Sequence, residues 1–233
     1  MRSDFPDNTH DSSRGAWSRR WPWLAAAVLY LLFMAWHQPW FVAPLTPAEV
    51  DRAFSGPLGS AKIPDEEKQR LKAFFASDDG RSFYNLNLMK FKARAEYPDG
   101  VKRPGIETGS DANDAYTRSV VPLLFKRGSY PVFASSKIAN LLMTADPGAD
   151  FFDEVGIVRY RSRRDMLEMI LHPDYALGAP HKFASLDKNV ALPTRALVAM
   201  DASIPVAMLL AIAALLAARA RRPARRPASS RSA

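Results

Sequence analysis

No charged residue occurs between Arg20 and Glu49. A neutral, apolar run of that length needs lipid or a large core around it. It reads Trp21-Pro-Trp-Leu-Ala-Ala-Ala-Val-Leu-Tyr-Leu-Leu-Phe-Met-Ala-Trp36 and continues to Pro44. At about 1.5 Å of rise per residue, some 20 residues cross a hydrocarbon core of roughly 30 Å. Trp21, Trp23, Trp36 and Trp40 gather at the ends of the run, as interfacial aromatic belts do. A transmembrane helix is therefore predicted over residues 21–43.

A second apolar run extends from Ser203 to Ala218 and stops at Arg219. It is alanine-rich and near the lower length limit of roughly 17 residues for a span. An amphipathic or buried C-terminal helix is the alternative, but the run has no polar face. A second span is predicted over residues 202–218. The net charge of +8 belongs mainly to the flanks of these runs. Residues 1–20 hold four arginines against three aspartates, and residues 219–233 hold six arginines and no acid. All but one of the eight net charges thus lie in the tails. A nucleic-acid domain carries its basic patch on its folded surface, so nucleic acid is not an expected partner. Basic flanks stay cytoplasmic, which puts both tails, 1–20 and 219–233, in the cytoplasm. The segment between the spans is then extracytoplasmic, in the periplasm of a bacterial inner membrane. Ser18-Arg19-Arg20 is reminiscent of a twin-arginine signal, but Trp21-Pro22 follows directly and no small-x-small cleavage site closes the run. An uncleaved anchor is expected. The chain has no cysteine, which removes disulfides, thiol nucleophiles and Cys-based zinc sites.

Residues 44–80 read as a helical stalk or cover. Thr46 caps a helix that has Pro47 at its first position, and acids crowd the first turn after Pro64, where the helix dipole favours them. The period changes at Ser82. Through Phe91 the residues alternate, with Tyr84, Leu86 and Leu88 on one face and Phe83, Asn85, Asn87, Met89 and Phe91 on the other. A helix follows, starting near Ser110, bent or shortened by Pro122 and closed by Gly128. Strands are predicted at Tyr130–Ile138 and Phe151–Tyr160. A capped helix comes next at Ser162–Leu171, then a helical segment from Pro180 to Lys188 and a last strand from Leu192 to Met200. The order β-α-β-β-α-β is that of the ferredoxin-like fold, so residues 81–201 are expected to form an α+β domain of this kind.

Four stretches carry a family resemblance: Asn85-Leu-Asn-Leu-Met-Lys-Phe91, Tyr116 to Gly128, Gly156-Ile-Val-Arg-Tyr-Arg-Ser162, and His172-Pro-Asp-Tyr175 followed by His181. Over roughly residues 82–200 the chain resembles an uncharacterised bacterial family of the dimeric α/β-barrel superfamily. The resemblance implies a homodimer, in which two ferredoxin-like units pair through their open sheet faces and each half holds a pocket. Relatives include cofactor-free monooxygenases, haem-degrading enzymes, isomerases, dehalogenases and stress proteins, so the architecture does not name a reaction. Haem-degrading relatives use an asparagine on the first strand together with a pocket tryptophan. No tryptophan follows Trp40 here, which argues against haem, and no cofactor is expected.

Asn85 and Asn87 sit on an otherwise apolar strand face, where buried amides need partners. They are candidate ligand-binding groups, or else partners of backbone and interface atoms. His172 and His181 are the only histidines of the domain and the candidate catalytic pair, since histidine titrates near neutrality. Each adjoins a proline at a helix boundary, so capping is the alternative, and their spacing matches no metal motif. Tyr175 and Arg195 complete the ligand-binding candidates, Tyr175 alternatively packing on its helix and Arg195, like Lys90, alternatively solvated. Asp153 and Glu154 are adjacent and point to opposite faces. Arg159, Arg161, Arg163 and Arg164 form a basic cluster on a solvated or headgroup-facing surface. The loop from Tyr97 to Gly109 is a lid or a plain connection. No phosphate loop, G-x-S-x-G or zinc-protease helix is present. The expected function is binding of a small, partly apolar molecule. A cofactor-independent monooxygenase or isomerase, and an interaction module docking another membrane protein, are the alternatives.

Overall fold

The computed structural model describes residues 11–139, 152–199 and 201–220. The outermost parts of the two basic tails, the predicted strand start at Phe151 and the predicted strand end at Met200 lie outside these residues. The described residues form two compact units, one of residues 11–34 and 201–220 and the other of residues 35–139 and 152–199. In the first, helix α1 (Asp11–His37) contains Pro22, and its Leu24, Leu31 and Leu32 are exposed. Helix α7 (Ser203–Ala220) has a mean hydropathy of 2.0 and is, among the described residues, the one helix long and apolar enough to cross a membrane. Helix α1 stops at His37, short of the expected residue 43, because a residue before proline is disfavoured in the α region. The chain turns at Pro39, whose carbonyl accepts from the Val42 amide at 3.1 Å.

The second unit is a mixed α+β domain around a four-stranded antiparallel sheet. Strands β1 (Phe83–Phe91), β2 (Tyr130–Ser136), β3 (Glu154–Tyr160) and β4 (Leu186–Thr194) lie in the order β2-β3-β1-β4. Helix α4 (Gly109–Lys126) joins β1 to β2, and α5 (Arg163–Ile170) and α6 (Pro173–Ser185) join β3 to β4. The expected start of α4 at Ser110 is replaced by a cap at Thr108, whose side chain accepts from the Asp111 amide while Asp111 reaches back, a reciprocal capping box.

The last strand differs from expectation. Instead of beginning at Leu192, β4 runs from Leu186 to Thr194, which leaves Arg195 just beyond it. Pro180 does not start a new helix but lies inside α6. Pairing decides the boundary: Lys92 donates its amide to the Ser185 carbonyl at 2.9 Å, and β4 then pairs with β1 from Phe91 opposite Leu186 to Tyr84 opposite Thr194.

One sheet face carries Phe83, Tyr160 and Val158, and packs on Leu123, Leu124 and Met169 of the helices. Phe83 and Tyr160 stack with centroids 5.1 Å apart. On the opposite face Leu86 lies between Ile157 and Leu192, and Leu88 between Val155 and Val190. Phe133 and Leu192 are 50% and 45% exposed, so this face keeps apolar surface in contact with solvent. At one end of it Arg159, 1% exposed, donates to the carbonyls of His37 and Gly128 at 3.0 and 3.3 Å and lies over Tyr130.

Helices α2 (Pro47–Ser55) and α3 (Asp65–Ala76) form a hairpin that acts as a cover. Val50, Ala53 and Phe75 pack with Leu167 of α5. Glu49 fastens the hairpin twice, closing the Thr46 capping box and receiving two bonds from Arg164 at 2.7 and 2.8 Å. The Arg164 guanidinium and the Thr46 groups hold the Glu49 carboxyl down at about 2, from the ordinary 4.5. Because the folded value is depressed, the stabilisation is complete above about pH 4.5 and is lost as pH falls toward 2. The stability gap between the native chain and Glu49→Gln is therefore expected to close over that window in acid-unfolding curves. A gap that stays constant down to pH 2.5 would show that the Arg164 pair does not form.

Candidate functional site

A cleft of about 770 Å³ opens between α3 and β4, with β1 as its floor. That volume falls in the range of small-molecule pockets, roughly 300–1,000 Å³. Its apolar wall is built from Leu71 and Phe74 on the α3 stripe, Phe83 on β1 and Met166 on α5. The alternation of β1 turns Asn85 to the same side as Phe83, so the amide forms part of the wall while being 6% exposed.

The orientation of the two amides follows from their bonds. Asn87 Nδ2 donates to the carbonyls of Asn85 and Gly156 at 3.2 and 3.5 Å, which leaves Asn87 Oδ1 as an acceptor. Asn85 Nδ2 donates to that oxygen at 3.0 Å. Asn85 Oδ1 is then a buried acceptor with no partner among the described residues. A buried polar atom left unsatisfied costs roughly 1–3 kcal/mol, and in native proteins such atoms mark strain, an ordered water or a ligand contact.

Charged side chains complete the lining: Glu67, Arg70, Arg163 and Arg195. Arg70 pairs with Glu66 at 2.5 Å, and Arg195 pairs with Asp79. Arg163 is held differently. Its Nη1 donates to the Phe74 carbonyl at 3.2 Å, to Ser77 Oγ at 3.0 Å and to the Ser77 carbonyl, and its guanidinium lies 4.7 Å from the Phe74 ring centroid.

The cleft thus brings Asn85 and Arg195 together, with Asn87 behind Asn85. The other three candidates lie elsewhere. His172 caps α6, its Nδ1 accepting from the Asp174 amide at 3.1 Å. Its partner in the expected pair, His181, is bonded through Nδ1 to the Tyr97 hydroxyl at 2.6 Å. Burial, then Arg103 and Arg118, lower the His181 pKa, which favours the neutral ring. Burial raises the Tyr97 pKa, and Arg103 stacks over that ring at 4.5 Å. This arrangement ties the loop after β1 to α6. Tyr175 meets Tyr116 edge to face within the helix layer, and burial pushes Tyr116 up to about 12 and Tyr175 upward as well. Both therefore keep their protons at neutral pH.

Arg163, expected in a basic surface cluster, and Phe74 on α3 both emerge as wall groups. Leu71, Phe74 and Phe75 recur at the 3.6 period of α3, but nothing local shows what they face. Among the described residues no three potential metal ligands converge.

No family model matches the chain, and no curated protein matches it. Solved structures similar to the chain include two of the RPA0582 protein. The methylated RPA0582 protein is 26% identical, with 60% of this chain and 96% of that chain covered, at a TM-score of 0.49. The RPA0582 protein of unknown function from Rhodopseudomonas palustris is also 26% identical, with 59% and 97% covered, at a TM-score of 0.48.

Proposed function

We propose that the chain is a two-span protein of the bacterial inner membrane, with both termini cytoplasmic. Its ferredoxin-like periplasmic domain binds a small, partly apolar molecule in the cleft between α3 and β4. The observation that carries this reading is Asn85 Oδ1, buried and without a partner among the described residues, in the wall of a partly apolar cleft. The strand order β2-β3-β1-β4, with helices on one face, supports the ferredoxin-like assignment. The half-exposed apolar face around Phe133 and Leu192 supports pairing of two copies as in the dimeric α/β-barrel superfamily. The apolar α7 and the exposed leucines of α1 support the two spans and a lipid bilayer as partner.

A catalytic role for His172 and His181 draws less support, since one caps α6 and the other is bonded to Tyr97 outside the cleft lining. The test is native mass spectrometry of the full chain released from detergent. Extra mass on the wild type is expected, and Ala191→Trp, which fills the cleft from β4, is expected to lower its occupancy about tenfold or more. Equal occupancy in both proteins would place the bound molecule outside the cleft.

A further inference from the structure

Two groups in the wall of the cleft have bonding capacity that no described residue uses. The first is Asn85 Oδ1, an acceptor fixed in orientation by the Asn87 amide. The second is Arg163. Among the described residues all its hydrogen bonds run through Nη1 to Phe74 and Ser77. Nε and Nη2, the side-on edge of the guanidinium, make no bond among the described residues, and no carboxylate lies within ion-pair distance of it there. That edge offers two parallel N–H donors, the geometry that binds a carboxylate in bidentate fashion. Phe74 and Met166 supply apolar wall in the same cleft.

Charge points the same way. Three arginines and one glutamate line the cleft. The pairs that neutralise Arg70 and Arg195 are exposed, with side-chain accessibilities of 63% and 80% for Arg70 and Glu66, and 61% and 37% for Arg195 and Asp79. Exposed pairs of this kind hold weakly, so they do little to oppose an incoming anion.

Resting on the cleft reading above, we infer that the ligand class is a hydroxy-substituted monocarboxylic acid with an apolar body. Its carboxylate meets the Nε/Nη2 edge of Arg163, and its hydroxyl donates to Asn85 Oδ1. A neutral hydrocarbon leaves both protein groups without partners, and a polyanion brings more charge than the apolar wall can accept.

The experiment is calorimetric titration of the full chain in lipid nanodiscs, with empty nanodiscs subtracted. The probes are 3-(4-hydroxyphenyl)propionate, its 4-methoxy analogue and its methyl ester. The hydroxy acid is expected to bind about tenfold more tightly than either analogue, because each analogue leaves one of these two groups without its partner. Asn85→Leu is expected to erase the hydroxy-against-methoxy difference while keeping the acid-against-ester difference. The ligand-side comparisons need no variant and stand even if Asn85→Leu fails to fold. Equal binding of all three probes, abolished together by Ala191→Trp, would overturn the hydroxy-acid class and leave the cleft reading standing. Absence of binding by every probe, or binding untouched by Ala191→Trp, would overturn both.

Discussion

Replacing Gly128 with alanine is expected to destabilise the domain by roughly 2–5 kcal/mol, adding left-handed backbone strain to overpacking. Gly128 has φ +64 and ends α4, its amide reaching the Phe125 carbonyl at 3.2 Å while the Ser129 amide reaches Leu124 at 3.0 Å. A Cβ there would lie 2.1 Å from the Trp36 carbonyl oxygen and 2.9 Å from Arg161 Cδ. Neither neighbour is loose. Trp36 donates Nε1 to the Phe125 carbonyl at 2.9 Å and stacks on the Phe125 and Tyr130 rings, and the next carbonyl, that of His37, accepts from buried Arg159. The alanine therefore meets main chain that is fixed from three sides. Denaturant unfolding of the full chain in detergent gives the measurement. A loss below about 1 kcal/mol, less than backbone strain alone would cause, would mean that the Trp36 turn does not dock on this corner.

Asp165→Ala is expected to have a comparable effect, roughly 3–5 kcal/mol, because it leaves a partly buried cation without its partner. Asp165 is 3% exposed and accepts from Arg161 Nε at 2.9 Å, Arg161 Nη2 at 2.5 Å and the Ser162 hydroxyl at 2.6 Å. Ser162 in turn caps α5 by accepting the Asp165 amide at 3.0 Å. This one carboxylate therefore neutralises a guanidinium, raising the Arg161 pKa, and organises a helix start. The double variant Arg161→Met, Asp165→Leu removes both charges and is expected to recover most of the loss, since apolar groups of similar volume often replace a buried pair at little cost. If the double variant is as unstable as the sum of its singles, the two side chains are not coupled and the pair is not formed.

Local chemistry made several elements of this fold legible. The alternation from Phe83 to Phe91 belongs to β1, and Thr46 and Ser162 cap the helices they precede. Strands β2 and β3 and helices α4 and α5 also follow patterns of period 2 and 3.6. The position of β4 did not follow, because Pro180 reads locally as a helix start while pairing of β1 with residues 186–194 sets the real boundary. The cleft was legible only through Asn85 and Arg195. Its other wall depends on α3 packing on α5 through Phe75 and Leu167, and on Arg163 turning to the end of α3. Those are contacts between distant segments, and no window of sequence contains both sides. Histidine drew attention by chemical type, but the bonds to Asp174 and Tyr97 that fix the two rings are set by the fold.

Both outer strands of the sheet contain a proline, Pro131 in β2 and Pro193 in β4, and β2 is irregular between Pro131 and Phe133. A proline supplies no amide hydrogen for another strand to bond, and Lys188 and Asp187 add charge to the exposed β4 rim. Such margins discourage the side-by-side growth of sheets from one molecule to the next. On the membrane reading proposed above, the chain meets its own copies at high local density, and margins that refuse new strands protect it from running into ribbons. On the pairing proposed above, association is left to the apolar sheet face around Phe133 and Leu192, where it closes after two copies.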